Sequence, residues 1–216
     1  MALNDRMGPP HEEWANSLTH GLGTVLAVAA LVVMVVFAAL HGTARHVVAC
    51  ALFGATLVLL YLASTLYHAL SHPGAKRVFR FLDHTSIFLL IAGTYMPFCL
   101  IALRGPWGWT LFGLVLGLAV LGILFKATLG FTHERLSTVL YLLMGWVALL
   151  ALGPLFRALP VTALACLFAG GAAYSLGVLL YASERLPYAH AWWHLCVVAG
   201  SGLHVVVVMV WLIPWP

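Results

Sequence analysis

The charged residues of this chain are spaced so unevenly that they divide it into seven uncharged stretches, residues 14–44, 46–75, 84–103, 105–125, 136–156, 158–183 and 186–216. A hydrocarbon core about 30 Å thick needs roughly 20 apolar residues per crossing helix. Backbone polar groups in lipid must be satisfied within the segment, so each stretch reads as a helix. The spacing predicts helices near 18–40, 47–70, 82–103, 107–127, 137–156, 161–183 and 190–212. Only 7% of the 216 residues are charged and 63% are hydrophobic, against roughly 25% charged in a soluble domain. That excludes a soluble globular enzyme, a disordered protein and a nucleic-acid binder. The fold class is therefore an all-α membrane protein, a bundle of seven transmembrane helices.

Orientation follows from the loops. With the N-terminus in the cytoplasm, that side carries Arg6, Lys76, Arg77, Arg80, Lys126, Arg135 and Arg185, and the other side only Arg45, Arg104 and Arg157. The positive-inside bias then places the N-terminus in the cytoplasm and the C-terminus outside, in a multi-pass protein of the cell membrane. The cluster Lys76, Arg77 and Arg80 dominates this bias and is expected to meet anionic head groups. Trp107, Trp109, Trp192, Trp193, Trp211 and Trp215 lie near helix ends, as an aromatic belt would. No cleaved signal peptide is expected at the start. Residues 1–216 read as one domain preceded by a short cytoplasmic segment, 1–17.

Some residues carry no chemistry. Cys50, Cys99, Cys166 and Cys196 lie within the spans without C-x-x-C spacing and read as small buried hydrophobes. Gly113 and Gly117 form a G-x-x-x-G, and Gly170, Gly171 and Gly177 dot the sixth helix, so helix packing is expected at both places. Pro97 is expected to kink the third helix.

The informative residues are ionisable groups at membrane depth, where they are costly and mark function. Ser64 and His68 stand one turn apart at the end of the second helix. The third helix opens on Asp83, His84, Thr85 and Ser86. The seventh opens on His190 and His194, again one turn apart on one face. The topology brings these ends to the same side, with His20 at the start of the first helix. Three imidazoles with a fourth position left for water form a zinc arrangement used in catalysis. Asp83 would hold that water and accept its proton, and Ser64 would hydrogen-bond the acid, the water or a developing oxyanion. A metal-free polar network that satisfies itself inside the bundle is the alternative. His68 and His72 also have the i, i+4 spacing, but Pro73 follows and places His72 in the loop.

Together these motifs resemble the haemolysin III family, within the progestin and adiponectin receptor (PAQR) superfamily. The resemblance covers nearly the whole chain. It rests on Glu13-x-x-Asn16-x-x-Thr19-His20-x-x-Gly23, Ser64-x-x-x-His68, Leu82-Asp83-His84-Thr85-Ser86-Ile87, Ile91 to Phe98, His190-x-x-x-His194 and Gly200-Ser-Gly-x-His204. It implies a zinc ion near the cytoplasmic side held by His68, His190 and His194, with Asp83 holding the water and Ser64 beside it. Because the superfamily includes alkaline ceramidases, it also implies a zinc-dependent hydrolase of lipid amide or ester bonds, with the acyl chain in a cavity between the helices. The family's name points to the competing class, a cytolysin-like or membrane-homeostasis protein with a structural zinc.

Smaller expectations attach to the other histidines. His20 and Asn16 are candidates to support the zinc ligands from behind. His204 lies about 15 Å deeper than His194 by helical rise, too far to share its ion, and is expected in the cavity lining. His84 is expected on a different helix face from Asp83. His11, His41, His46 and His133 are expected at loops or helix ends without a role. Membrane lipids are the expected partners; substrate identity and oligomeric state are not written in the sequence.

Overall fold

A computed structural model describes residues 9–129, 132–183 and 185–214. Arg6 and Trp215, used above for orientation and for the aromatic belt, lie outside the described residues. Among the described residues, seven helices are long and apolar enough to cross a membrane: α1 (Pro10–His41), α2 (Ala44–Ala69), α3 (Pro73–Ala102), α4 (Pro106–Leu129), α5 (Glu134–Ala158), α6 (Val161–Tyr181) and α7 (Ala189–Leu212). No strand occurs among the described residues. In chain order α1 packs on α2, α2 on α3 and α3 on α4. α6 pairs with α7, which returns to α1. α3 is the most buried span and α5 the least. Leu26, Val36, Leu121, Leu143, Leu150 and Leu179 point outward, an apolar surface suited to lipid rather than water.

Two helices start earlier than the charge pattern predicts. α1 begins at Pro10, with Glu12 and Glu13 in its first turn. Proline is preorganised for a first turn and carboxylates there oppose the helix dipole. At 32 residues it runs about 48 Å, well beyond a 30 Å hydrocarbon core. α3 begins at Pro73, capped by the His72 ring, which accepts from the Ala75 N–H at 3.4 Å. Lys76, Arg77 and Arg80 therefore sit on helical turns and not in a loop. Lys126 also departs from the loop role assigned to it. It lies inside α4 and is 2% exposed.

Prolines shape two other spans. α3 is α-helical to Pro97 and ends in a π-type turn over Phe98–Ala102, because a proline removes one N–H and crowds the carbonyl four residues back. α5 changes to a tighter 3-10 course over Trp146–Ala151, ahead of Pro154. The Tyr95 hydroxyl on α3 supports that break. It donates to the Gly145 carbonyl at 2.7 Å and accepts from the Ala148 N–H at 2.8 Å. Neighbouring side chains commonly satisfy backbone groups freed in this way inside membranes.

Gly113 and Gly117 differ from expectation, since a Cβ built on either meets nothing within 4 Å. This G-x-x-x-G is not a packing seam within the chain. Gly170 and Gly177 do mark close approach, against His204 on one side and Trp193 and Cys196 on the other. The four cysteines are free thiols.

Candidate metal centre

The last turn of α2, the second and third turns of α3 and the first two turns of α7 meet at one end of the bundle, beside the first three turns of α1. The i, i+4 spacing puts His190 and His194 on one face of α7 with ring centroids 4.5 Å apart. His68 arrives from α2, its ring 4.9 Å from His190 and 5.3 Å from His194. One ligand nitrogen from each of the three lies within 4.8 Å of the others, a group that could hold a metal ion. All three residues are shielded, and His194 is 1% exposed.

Hydrogen bonds behind the rings decide which nitrogens face the centre. His194 Nδ1 donates to the Asn16 carbonyl at 3.2 Å and meets Thr19 Oγ1 at 3.1 Å. Thr19 spends its own proton on the Ala15 carbonyl at 2.9 Å, so its lone pairs face the ring. With the proton on Nδ1, Nε2 of His194 carries the free lone pair. Glu13 does the same for His68, its Oε2 lying 3.3 Å from Nδ1. The same oxygen takes the Lys76 ammonium at 3.0 Å. Nε2 of His68 and Nε2 of His190 are buried and have no partner in the protein. Buried polar atoms of this kind call for an explanation. A cation between them supplies one, and zinc-bound imidazoles usually show this same backing by a carboxylate or carbonyl.

Asp83 is 5% exposed and lies beside the three histidines rather than among the group of three ligand atoms. His68 and Lys126 are within electrostatic reach of its carboxylate. Ser64 is fully buried and approaches that carboxyl without a close hydrogen bond. His84, expected on another face, turns out to share this region. Its Nδ1 donates to the Arg80 carbonyl at 3.0 Å and stands 3.6 Å from Asp83 Oδ2. A cavity of about 150 Å³ opens from here, lined by Asp83, His84 and His190 at one end and by Thr94, Tyr174 and His204 at the other.

All five predicted site residues, Ser64, His68, Asp83, His190 and His194, therefore converge at one end of the bundle. Asn16 supports the centre through its backbone carbonyl, not its side chain. His20 stacks on His194 with centroids 3.5 Å apart rather than hydrogen-bonding to it. Trp193, assigned to the interfacial belt, instead lines the cavity and packs against His190 at 5.1 Å. His46, expected at a loop or helix end without a role, does lie at the start of α2, but it is buried and caps that helix by accepting from the Thr43 N–H at 3.1 Å.

Sequence reasoning missed the acids that organise the centre. Glu13 aligns His68. Glu12 Oε1 accepts the Tyr188 N–H at 3.3 Å, and Tyr188 holds the left-handed backbone turn that starts α7. Both acids precede the apolar run of α1 by a few residues, the position of a first-turn carboxylate, and that was the available signal. Glu134 also escaped notice; it pairs with Arg80 at 3.0 Å and lines the cavity.

Comparison with known proteins extends this picture. The family model described as "Haemolysin-III related" matches residues 9–205. The chain is 44% identical over 203 residues to "Hemolysin-3" of Bacillus cereus, covering 94% of this chain and 93% of that protein. It is 43% identical over 190 residues to "Hemolysin-3 homolog" of Bacillus subtilis (strain 168), covering 88% and 89%. The human "Monocyte to macrophage differentiation factor" is 27% identical over 215 residues, covering 93% and 85%. No solved structure matches the chain.

Proposed function

The chain belongs to the haemolysin-III related family of membrane proteins, and from that premise we propose that it is a zinc-dependent hydrolase of lipid amide or ester bonds. The observation that carries the reading is the buried set His68, His190 and His194, placed beside the Asp83 carboxyl at the head of an apolar cavity. Three imidazoles with the fourth position open suit catalytic zinc. Zinc bound there would polarise a carbonyl and bring the pKa of a water to about 7.

The chain's own groups supply the rest. His68 and His194 present Nε2 lone pairs, held in place by Glu13 and by the Asn16 carbonyl, and the buried Nε2 of His190 lies unpartnered beside them. Asp83 accepts a proton from water on a carboxylate oxygen and returns it to the leaving amine or alcohol. The Ser64 hydroxyl donates to Asp83 or to the developing oxyanion. The cavity walls Ile87, Leu90, Ile91 and Val178 take the acyl chain and exclude bulk water. With the N-terminus in the cytoplasm, the centre lies at the cytoplasmic side.

Metal content by mass spectrometry on purified protein is the test, beside the double variant His190→Ala/His194→Ala. We expect about one zinc per chain, lost in the variant. Zinc retained with release of fatty acid abolished in Asp83→Ala supports the hydrolase. A well-folded protein purified without chelators and free of zinc overturns it. The name of the Bacillus cereus relative favours a second reading, a membrane-perturbing protein with structural zinc. Leakage from liposomes that persists in the double variant would support that one instead.

A further inference from the structure

A second polar cluster lies deep in the bundle, away from the three-histidine centre. His204 sits ten residues beyond His194 on α7, about 15 Å further along the helix. It lines both the 150 Å³ cavity and a second cavity of about 60 Å³ that continues past Phe98 to Leu103 and Leu111. Thr94, Tyr95, Trp146 and His204 belong to both. The two cavities abut at these residues, which make the waist of the slot they outline.

The waist is made of specific contacts. Gly170 makes room for the imidazole, since a Cβ there would stand 2.5 Å from two ring atoms of His204. His204 Nδ1 donates to the Gly200 carbonyl at 2.7 Å, which leaves the lone pair on Nε2. Thr94 spends its proton on the Leu90 carbonyl at 2.8 Å, which leaves its hydroxyl oxygen to accept. Tyr174 stacks on His204 and shares a hydrogen bond with Ser201 at 2.9 Å. Ser201 already accepts from Tyr61 at 2.7 Å, so its own proton can serve Tyr174, whose O–H lies within hydrogen-bonding range of Thr94. The waist therefore offers the His204 Nε2 acceptor, beside the paired Thr94 and Tyr174 hydroxyls, to whatever occupies the slot. A methylene chain leaves that nitrogen without a donor, and an alcohol supplies one.

Resting on the hydrolase reading for the slot's use, we infer that His204, Thr94 and Tyr174 form a subsite for a hydroxyl group on the acyl chain, about a dozen methylenes from the bond held at the three-histidine centre. The substrate class this selects is a lipid with a hydroxylated long chain. The polar waist is then a specificity element, placed where an ordinary acyl tail needs only apolar walls.

The test is competitive binding. Equimolar stearic and 12-hydroxystearic acids are offered to the detergent-solubilised protein, and each bound species is counted by native mass spectrometry. We expect the hydroxy acid to be favoured five- to tenfold, about the worth of one buried hydrogen bond. The preference should fall away in His204→Phe, which keeps the ring's bulk, and weaken in Thr94→Val. 2-Hydroxystearic acid, with its hydroxyl at the head end, should gain nothing from the waist. Equal occupancy by stearic and 12-hydroxystearic acids, or a preference unchanged in His204→Phe, overturns the inference. Metal content is read on the same sample. A preference without zinc sinks the hydrolase and leaves the subsite standing; zinc with equal occupancy does the reverse.

Discussion

Glu13→Gln separates a metal centre from a self-satisfied polar network. In the protein, Glu13 Oε2 is held between His68 Nδ1 at 3.3 Å and the Lys76 ammonium at 3.0 Å. Glutamine keeps the shape and one acceptor oxygen but removes the charge. His68 then loses the carboxylate that makes its other nitrogen a stronger ligand, and Lys76 loses its counter-ion. Carboxylates behind zinc-bound histidines are worth about 10–100-fold in metal affinity, or about 1.4–2.7 kcal/mol. Glu13 is half-buried, its side chain 17% exposed, so water screens part of the effect and the lower end of that range is expected. The assay is zinc affinity by competition with a graded chelator on purified protein. Glu134→Gln serves as control, since it disrupts an ion pair at the same end of the bundle without touching a ligand. We expect about tenfold weaker zinc binding in Glu13→Gln and less than about twofold change in Glu134→Gln. Equal affinity in the wild type and Glu13→Gln would refute the argument that this carboxylate orients His68.

Other predictions test the scaffold and the metal's role. Tyr95→Phe leaves the Gly145 carbonyl and Ala148 N–H of the α5 break without their partner, and thermal unfolding in detergent should show a loss of about 1–3 kcal/mol. Gly170→Ala drives a methyl against the His204 ring and should cost about 1–3 kcal/mol in the same assay. Gly113→Ala, which meets open space, should be neutral or stabilising by up to about 1 kcal/mol. Adding zinc to chelated protein should slow hydrogen exchange at the end of α2 and the start of α7, because His68 and His190 each gain a partner for a buried Nε2; no slowing there would count against their being ligands.

The architecture was legible because lipid leaves the chain few options. Sixteen charges could sit only at helix ends or in paired positions, and the gaps between them outlined seven crossings close to those observed. Where the outline failed, a charge had found a partner at depth. Lys126 reads as a boundary in the sequence, yet it is buried within reach of Asp83 and Glu134. Arg80 reads as loop, yet it lies on α3 and pairs with Glu134. Helix starts were missed for a related reason. The first turns of α1 and α3 extend past the apolar run, so hydropathy cannot see them; Pro10 and Pro73 mark them. The candidate ligands were legible from i, i+4 spacing plus topology. Trp193 was misplaced because an aromatic residue at a helix end reads alike whether it faces lipid or a cavity.

What the sequence concealed is how the first helix organises the centre. α1 supplies none of the three candidate ligands, yet its first three turns touch every element that does. Glu13 reaches α2 at His68, Glu12 reaches the turn before α7 at Tyr188, and Asn16 and Thr19 hold His194. Each contact joins residues 55 or more positions apart in the chain, so local pattern could mark a residue, as it did Asn16, without naming its partner. Their geometry has a physical logic. Helices in lipid gain little by burying apolar surface against one another, so the relative placement of α2 and α7 depends on small residues and on polar bonds such as Tyr61 to Ser201 at mid-depth. At the end where the three histidines must meet within a few ångströms, α1 adds four further polar attachments. A short clasp of carboxylates and a carbonyl thus does for this bundle what a rigid core does in a soluble enzyme, fixing the angle and the free nitrogen of His68 and His194. Its extension beyond the apolar span places those acids where Lys76 can neutralise one of them.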